Sequence, residues 1–208
     1  MMALTDGIRD YWAFVVVVVV FLAIPGPGNL AIITSTSKGR IFGGLAATFG
    51  VILGDQILMW LAVAGVAALL AAYPSVFAVV QYVGAAYLAY LGFKMILAKP
   101  GDAPVLKMEA RQYFKQSLAV TLLNPKAIVF YMAFFPSFVD PAKHQGLLTF
   151  AVMAATIAFL TFLYCFSVTL ITHFAAKRMR SNPRVTSWLN KIAGTMLIAF
   201  GVKLAVGK

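Results

Sequence analysis

Along this chain apolar residues run for about twenty positions or more at a time, and polar residues fall mostly into the short stretches between them. Six apolar runs stand at roughly 11–33, 43–71, 76–98, 114–138, 146–173 and 187–206. A helix rises about 1.5 Å per residue, so some 20 residues cross a hydrocarbon core of about 30 Å. Each run predicts a membrane-spanning helix, because backbone polar groups in lipid must be satisfied within the segment itself. The connections are "STSKGRIFG", a minimal "YPS", "KPGDAPVLKMEARQY", "DPAKHQ" and "KRMRSNPRVTS". The expected fold class is all-α: one polytopic membrane domain over 1–208, built of six transmembrane helices.

The pattern also repeats. "YVGAAYLAYLGFKMILAK" (82–99) aligns without gaps on "KIAGTMLIAFGVKLAVGK" (191–208), matching Leu88 with Leu197, Gly92 with Gly201, Lys94 with Lys203 and Lys99 with Lys208. Upstream, "PGNLAII" (27–33) echoes "NPKAIV" (124–129). The matched Gly-x-Lys ending argues against chance similarity between apolar helices. Two halves of three spans, about 11–98 and 114–206, enter the membrane from opposite sides, which predicts an inverted-topology repeat.

Composition agrees and narrows the reading. Of 208 residues, 62% are hydrophobic and 11% charged, far too little polar surface for a water-soluble domain. A net charge of +11 raises nucleic acid as a partner. The Lys and Arg residues cluster in the connections, however, as a lipid-spanning chain distributes them, so the expected partner is the bilayer and no nucleic acid. The connections after runs one, three and five hold Lys38, Arg40, Lys99, Lys107, Arg111, Lys115, Lys177, Arg178, Arg180 and Arg184. The other side holds Arg9, Lys143, Lys203 and Lys208. The positive-inside rule places the first group in the cytoplasm and both termini outside. The leading "MMALTDGIRDYW" carries Asp6 and Asp10 against Arg9 alone, and no small-x-small site follows the valines. Run one therefore reads as an uncleaved span, not a signal peptide. A single cysteine, Cys165, allows neither an intrachain disulfide nor a dithiol redox pair.

Against this background "AIPGPGNLAI" (23–32) is out of place, because it breaks a helix where broken backbone costs most. Pro25 and Pro27 each remove an N–H and clash with the preceding turn, while Gly26 and Gly28 adopt non-helical angles cheaply. Freed N–H and C=O groups cost several kcal/mol each in hydrocarbon, so the break must face protein, water or a ligand. A helix resuming near Asn29 would offer N–H groups to a carboxylate. A kink that only shapes packing uses prolines too; two Pro, two Gly and an Asn together favour a functional break. "NPK" is the counterpart in the second half, with Asn124 as donor and acceptor, Pro125 as the break and Lys126 as a charge.

Asp55 is the only acidic residue inside any run. It lies roughly 15–20 Å from the cytoplasmic edge at ~1.5 Å per residue, and an ionised carboxylate there costs at least ~2.5–3.5 kcal/mol. Three roles are open to it: a proton-coupling carboxylate, a counter-ion for a substrate ammonium, or an ion-pair partner of Lys126. Lys126 itself either faces the site or snorkels to the interface. Lys94 and Lys203 sit in last helical turns, where the dipole favours a cation. Gly43, Ala47, Gly50 and Gly54 recur at three- and four-residue spacing as a close-packing face. Tyr82, Tyr87 and Tyr90 read as interfacial or packing residues. His144 and His173 lie far apart, so neither a metal site nor any other cofactor is expected. The chain has no phosphate loop and no Ser/His/Asp or clustered-carboxylate arrangement, which argues against an enzyme.

Together "PGPGN", the G-x-x-x-G-D from Gly50 to Asp55, "YVGAAYLAYLGFK" and "LLNPKAIVFYMAFF" resemble the LysE/RhtB family of amino-acid exporters over essentially the whole chain. Within it, "GVILGDQILMWLAVAGVAALL" is most similar to the leucine exporter branch. The resemblance implies a six-span inner-membrane protein that expels amino acids using the proton motive force. Its motif positions here are Pro25, Gly26, Pro27, Asn29, Gly54, Asp55, Asn124, Pro125 and Lys126. Many members read "PGPN", so Gly28 stands as an extra glycine that would loosen the break and turn Asn29 relative to Pro25.

The resulting expectation is export of small neutral, leucine-like amino acids by proton antiport. The substrate carboxylate would meet N–H groups near Pro25–Asn29, with Asn124 and Lys126 across the pseudo-two-fold. Its ammonium would meet freed carbonyls, and Asp55 would bind and release the driving proton. Two other readings stay open. Efflux of another solute or a cation is one, although cations favour more intramembrane carboxylates. A non-transporting scaffold is the other, although it needs neither Asp55 nor paired breaks. A homo-oligomer is compatible with all of these.

Overall fold

The computed structural model describes residues 5, 7–24, 26–72, 79, 82, 86, 89–90, 93, 96–97, 112–140, 142–143, 146–179, 191, 195, 198–199 and 202. Its named elements are all helical: α1 (Tyr11–Ala23), α2 (Pro27–Ala72), α3 (Tyr113–Leu122), α4 (Pro125–Val129) and α5 (Leu147–Met179). A π turn, Phe130–Phe134, and a 3-10 turn, Phe135–Phe138, extend α4. Most of runs three and six lies outside the described residues. So do Pro25, Tyr87, Lys94, His144, Lys203 and the alignment of 82–99 with 191–208.

α1 holds six consecutive valines, which are poor helix formers in water. In lipid the need to pair every N–H and C=O overrides that preference. Asp10 starts the helix by accepting from the Ala13 N–H at 2.9 Å. The last turn closes with Ile24 N–H donating to the Val20 carbonyl at 3.1 Å, and helical geometry then stops at the prolines.

Within "STSKGRIFG", where the sequence predicts a connection, helical geometry is interrupted at Arg40, whose φ is 54°. The flanking polar residues are helical on both sides, so the connection is shorter than expected. The chain reverses at Arg40. Residues 35 and 43 would stand about 12 Å apart in a straight helix, yet a Cβ on Gly43 would run into the Ser35 carbonyl. Ala31, Ile32 and Ala47 likewise fall in one buried cluster. α2 is therefore a tight hairpin whose two arms, 27–39 and 41–72, correspond to the later part of run one and to run two.

The small residues on the second arm admit α3 at close range. A Cβ on Gly50 would strike the Phe114 carbonyl, and one on Gly54 would come within 2.7 Å of Thr121 Cβ. This is the close-packing face expected from Gly43, Ala47, Gly50 and Gly54. α3 and the segment 126–138 form one apolar pair bent by 54° at "LNP", where run four was expected to break.

Among the described residues, Leu147–Phe174 is long and apolar enough to cross a membrane, Pro27–Gly65 is so in length and composition but folds back at Arg40, and the bent pair adds a further candidate. At the far end from Arg40, Arg9 N–H donates to the Phe138 carbonyl at 2.9 Å and Asp140 N–H to the Gly7 carbonyl at 3.0 Å. The segment before α1 and the segment before α5 thus share one face of the protein. Large apolar side chains such as Trp12, Val16, Phe49, Leu61, Phe159 and Phe174 point outward, a surface suited to lipid and costly in water.

Candidate functional site

The break between α1 and α2 leaves main-chain carbonyls without helical donors. The Phe21 carbonyl would accept from residue 25, a proline with no N–H. Two side chains from elsewhere in sequence take over this end of α1. Lys126 Nζ donates to the Phe21 carbonyl at 3.0 Å and to the Ile24 carbonyl at 2.8 Å. Asn29 Nδ2 donates to the Leu22 carbonyl at 3.2 Å, the Ile24 carbonyl at 3.3 Å and the Tyr164 hydroxyl at 3.2 Å. The negative end of the α1 dipole adds to the attraction for the ammonium. Lys126 Nζ also lies 4.5 Å from the centre of the Phe21 ring, within cation–π range. That ring stacks on Phe130 at 4.0 Å. Lys126 is only 6% exposed, so it faces the site and does not snorkel.

Sequence places Lys126 there through Asn124. Asn124 is the N-cap of α4, its Oδ1 accepting from the Lys126 N–H at 3.1 Å, and Pro125 opens the helix with a φ already suited to its first turn. Gly26 completes the fit, because a Cβ there would lie 3.4 Å from Lys126 Nζ. The two Pro-containing breaks, expected as counterparts, are in direct contact: one supplies carbonyls and the other the cation that holds them.

α2 resumes at Pro27, and Leu30 N–H donates to the Gly26 carbonyl at 3.1 Å. The N–H groups of Gly28 and Asn29 therefore have no acceptor within the helix. Gly28 lies in the first turn of α2, inside the resumed helix. A Cβ on Gly28 would meet nothing within 4 Å, so space opens beside this first turn.

Asp55 is buried at 3% exposure on the second arm of α2. Thr161 Oγ1 lies 3.5 Å from its Oδ2, and the Tyr131 hydroxyl faces the same carboxyl group. Gln56 Nε2 fixes α2 to α5 beside it, donating to the Ala154 carbonyl at 3.1 Å. Lys126 and Asp55 interact through their charges, but the ammonium's hydrogen bonds go to the α1 carbonyls. Of the roles open to Asp55, a tight ion pair with Lys126 is not the arrangement seen.

Of the sequence-predicted residues, Gly26, Asn29, Asn124 and Lys126 meet at the break, with Pro27 and Gly28 opening the next helix. Asp55 stands on the adjoining wall, and Pro25 lies outside the described residues. Tyr131, Thr161, Tyr164 and the Phe21–Phe130 stack were not singled out from sequence. Hydroxyl residues recur throughout runs four and five, so nothing in the sequence set these apart. Among the described residues no group of three His, Cys, Asp or Glu side chains is placed to hold a metal.

Comparison with known proteins bears on what such an arrangement serves. The profile of the LysE type translocator family matches residues 19–208. An uncharacterized membrane protein of Pseudomonas aeruginosa is 36% identical over 97% of both chains. A leucine efflux protein of Salmonella choleraesuis is 34% identical over 96% of both, and so is one from an Enterobacter species. No solved structure matches the chain.

Proposed function

The chain belongs to the family of LysE type translocators, and we propose that it exports small neutral amino acids, leucine-like in size, by exchange for protons across the bacterial inner membrane. It is a multi-pass membrane protein and a transporter rather than an enzyme. In this reading six helices form two inverted halves, about 11–98 and 114–206, with Arg40 on the cytoplasmic side and both termini outside.

The observation that carries the proposal is the opposed pair at the break between α1 and α2. Carbonyls at the end of α1 suit an ammonium, whereas the Gly28 and Asn29 N–H groups at the start of α2 suit a carboxylate. A zwitterionic amino acid carries both charges two bonds apart. Discontinuous helices presenting opposite dipole ends to one substrate are the usual build of secondary transporters. The space beside Gly28 admits the carboxylate side of the molecule. Asp55, the one acidic residue in a predicted span, takes up the driving proton on one side and releases it on the other, while the two halves rock about the site. The names of the leucine efflux proteins support a branched apolar side chain on the substrate.

Cells loaded in turn with individual amino acids or dipeptides, with and without overexpressed protein, test this. Leucine and its near relatives should leave faster in its presence, and an uncoupler should remove the difference. Accelerated loss of inorganic cations, with none of amino acids, would favour the cation reading instead.

A further inference from the structure

A buried ammonium held by the carbonyls of a broken helix is what the substrate's own ammonium would require, and in this structure Lys126 provides it. We propose that Lys126 is a tethered stand-in for the substrate: its ammonium fills the carbonyl cage when the site is empty, and it leaves for Asp55 when the transported amino acid's ammonium takes its place. This rests on the amino-acid export reading above and extends it to how proton and substrate exclude one another.

The fit is chemical and geometric. A lysine ammonium and an α-ammonium each carry one positive charge and three donors. The cage gives Lys126 two carbonyl oxygens at 3.0 and 2.8 Å and an aromatic face at 4.5 Å. Two cations cannot share it, because neither is solvated there and their repulsion is barely screened. Position argues against a purely structural lysine. Lys126 is the second residue of α4, where the helix dipole disfavours a cation, so the charge does not serve its own helix. It reaches across instead to the carbonyl end of α1.

Asp55 is the place for Lys126 to go. Their charges interact already, and a four-carbon stem pivoting at Lys126 has the reach to exchange one anchor for another. Among the described residues, the other titratable groups facing Asp55 are Tyr131, from the turn after α4, and Cys165, from α5. A neutral, protonated Asp55 leaves Lys126 in the cage and the substrate shut out. When Asp55 loses its proton to the cytoplasm, the carboxylate draws Lys126 over and the amino acid binds. After reorientation a proton from outside adds to an Asp55 carboxylate oxygen, Lys126 returns to the cage and the amino acid is expelled. One proton enters for each amino acid exported, and the site holds one mobile cation in its cage at every stage.

Purified protein and labelled leucine test the exchange through paired variants. Asp55→Asn holds Lys126 in the cage and should weaken leucine binding about tenfold or more, since a site competent only in a minor state loses apparent affinity in proportion. Lys126→Met should bind leucine more tightly than wild type. The double variant Asp55→Asn/Lys126→Met should recover most of the affinity lost by Asp55→Asn alone. A double variant as weak as Asp55→Asn, or weaker, contradicts the exchange. A measurement on wild type guards against variants that fail to fold: leucine binding, followed by calorimetry in buffers of different ionisation enthalpy, should release protons, a fraction of one per leucine near neutral pH and approaching one as the pH is lowered, by linkage. No release overturns the proposal even if leucine binds and is transported, which leaves the export reading standing. Wild type that neither binds nor moves any neutral amino acid removes both.

Discussion

Pro25 leaves the Phe21 carbonyl without its helical donor, and the protein answers with side chains that belong to other helices. Asn29 takes the Leu22 and Ile24 carbonyls and the Tyr164 hydroxyl; Lys126 takes Phe21 and Ile24. Removing a donor at such a place leaves buried carbonyls unpaired, at a cost of about 1–3 kcal/mol. Asn29→Ala should therefore lower the melting temperature of the purified protein by several degrees. Asn29→Asp, which keeps the shape but cannot donate when ionised, should lower it too. An unchanged melting temperature in both would mean that Asn29 does not support the break. At this scale the sequence was informative wherever a residue type had few uses: paired prolines, a lone acid, an asparagine before Pro-Lys. It was silent on Tyr131 and Thr161, because a hydroxyl in an apolar run becomes functional only through what packs against it.

At the scale of elements, glycine positions separate packing from function. Gly54 lies against Thr121, whereas Gly28 faces open space. Gly54→Val should force α2 and α3 apart and reduce the folded yield sharply. Gly28→Ala should fold as well as wild type, gaining about 0.5–1 kcal/mol of helix propensity, yet transport more slowly because the methyl group enters the proposed carboxylate position. Thermal stability and leucine flux, read on the same preparations, check both. The small-residue face was legible because its three- and four-residue spacing belongs to one side of a helix. The turn at Arg40 was legible as a connection, because "STSKGR" interrupts the apolar pattern, but its tightness was not: the reversal is carried by one residue with positive φ. Nor was the contact between the two breaks legible in detail. The repeat marked them as counterparts, but which carbonyls Lys126 reaches depends on where α4 sits against α1.

At the scale of the whole molecule, residues 7–10 and 138–140 lie together at one end, while the Arg40 hairpin turn forms the other. In the proposed orientation, which rests on the charge asymmetry between the connections, the Arg40 end lies in the cytoplasm. A cysteine placed at Lys143 should then react with a membrane-impermeant thiol reagent on intact cells, and one placed at Ser37 should react only after lysis. Native Cys165, buried at 2% exposure, adds little background. Reversed labelling would contradict this orientation. The central claim is that a carboxylate buried between α2 and α5 couples proton entry to amino-acid exit. Its most direct measurement is leucine transport into proteoliposomes under an imposed pH gradient, with wild type beside Asp55→Asn. Wild type should accumulate leucine against its own gradient and lose that accumulation when the pH difference is collapsed, while Asp55→Asn should show no response to pH. Gradient-driven accumulation by Asp55→Asn equal to that of wild type would contradict the account.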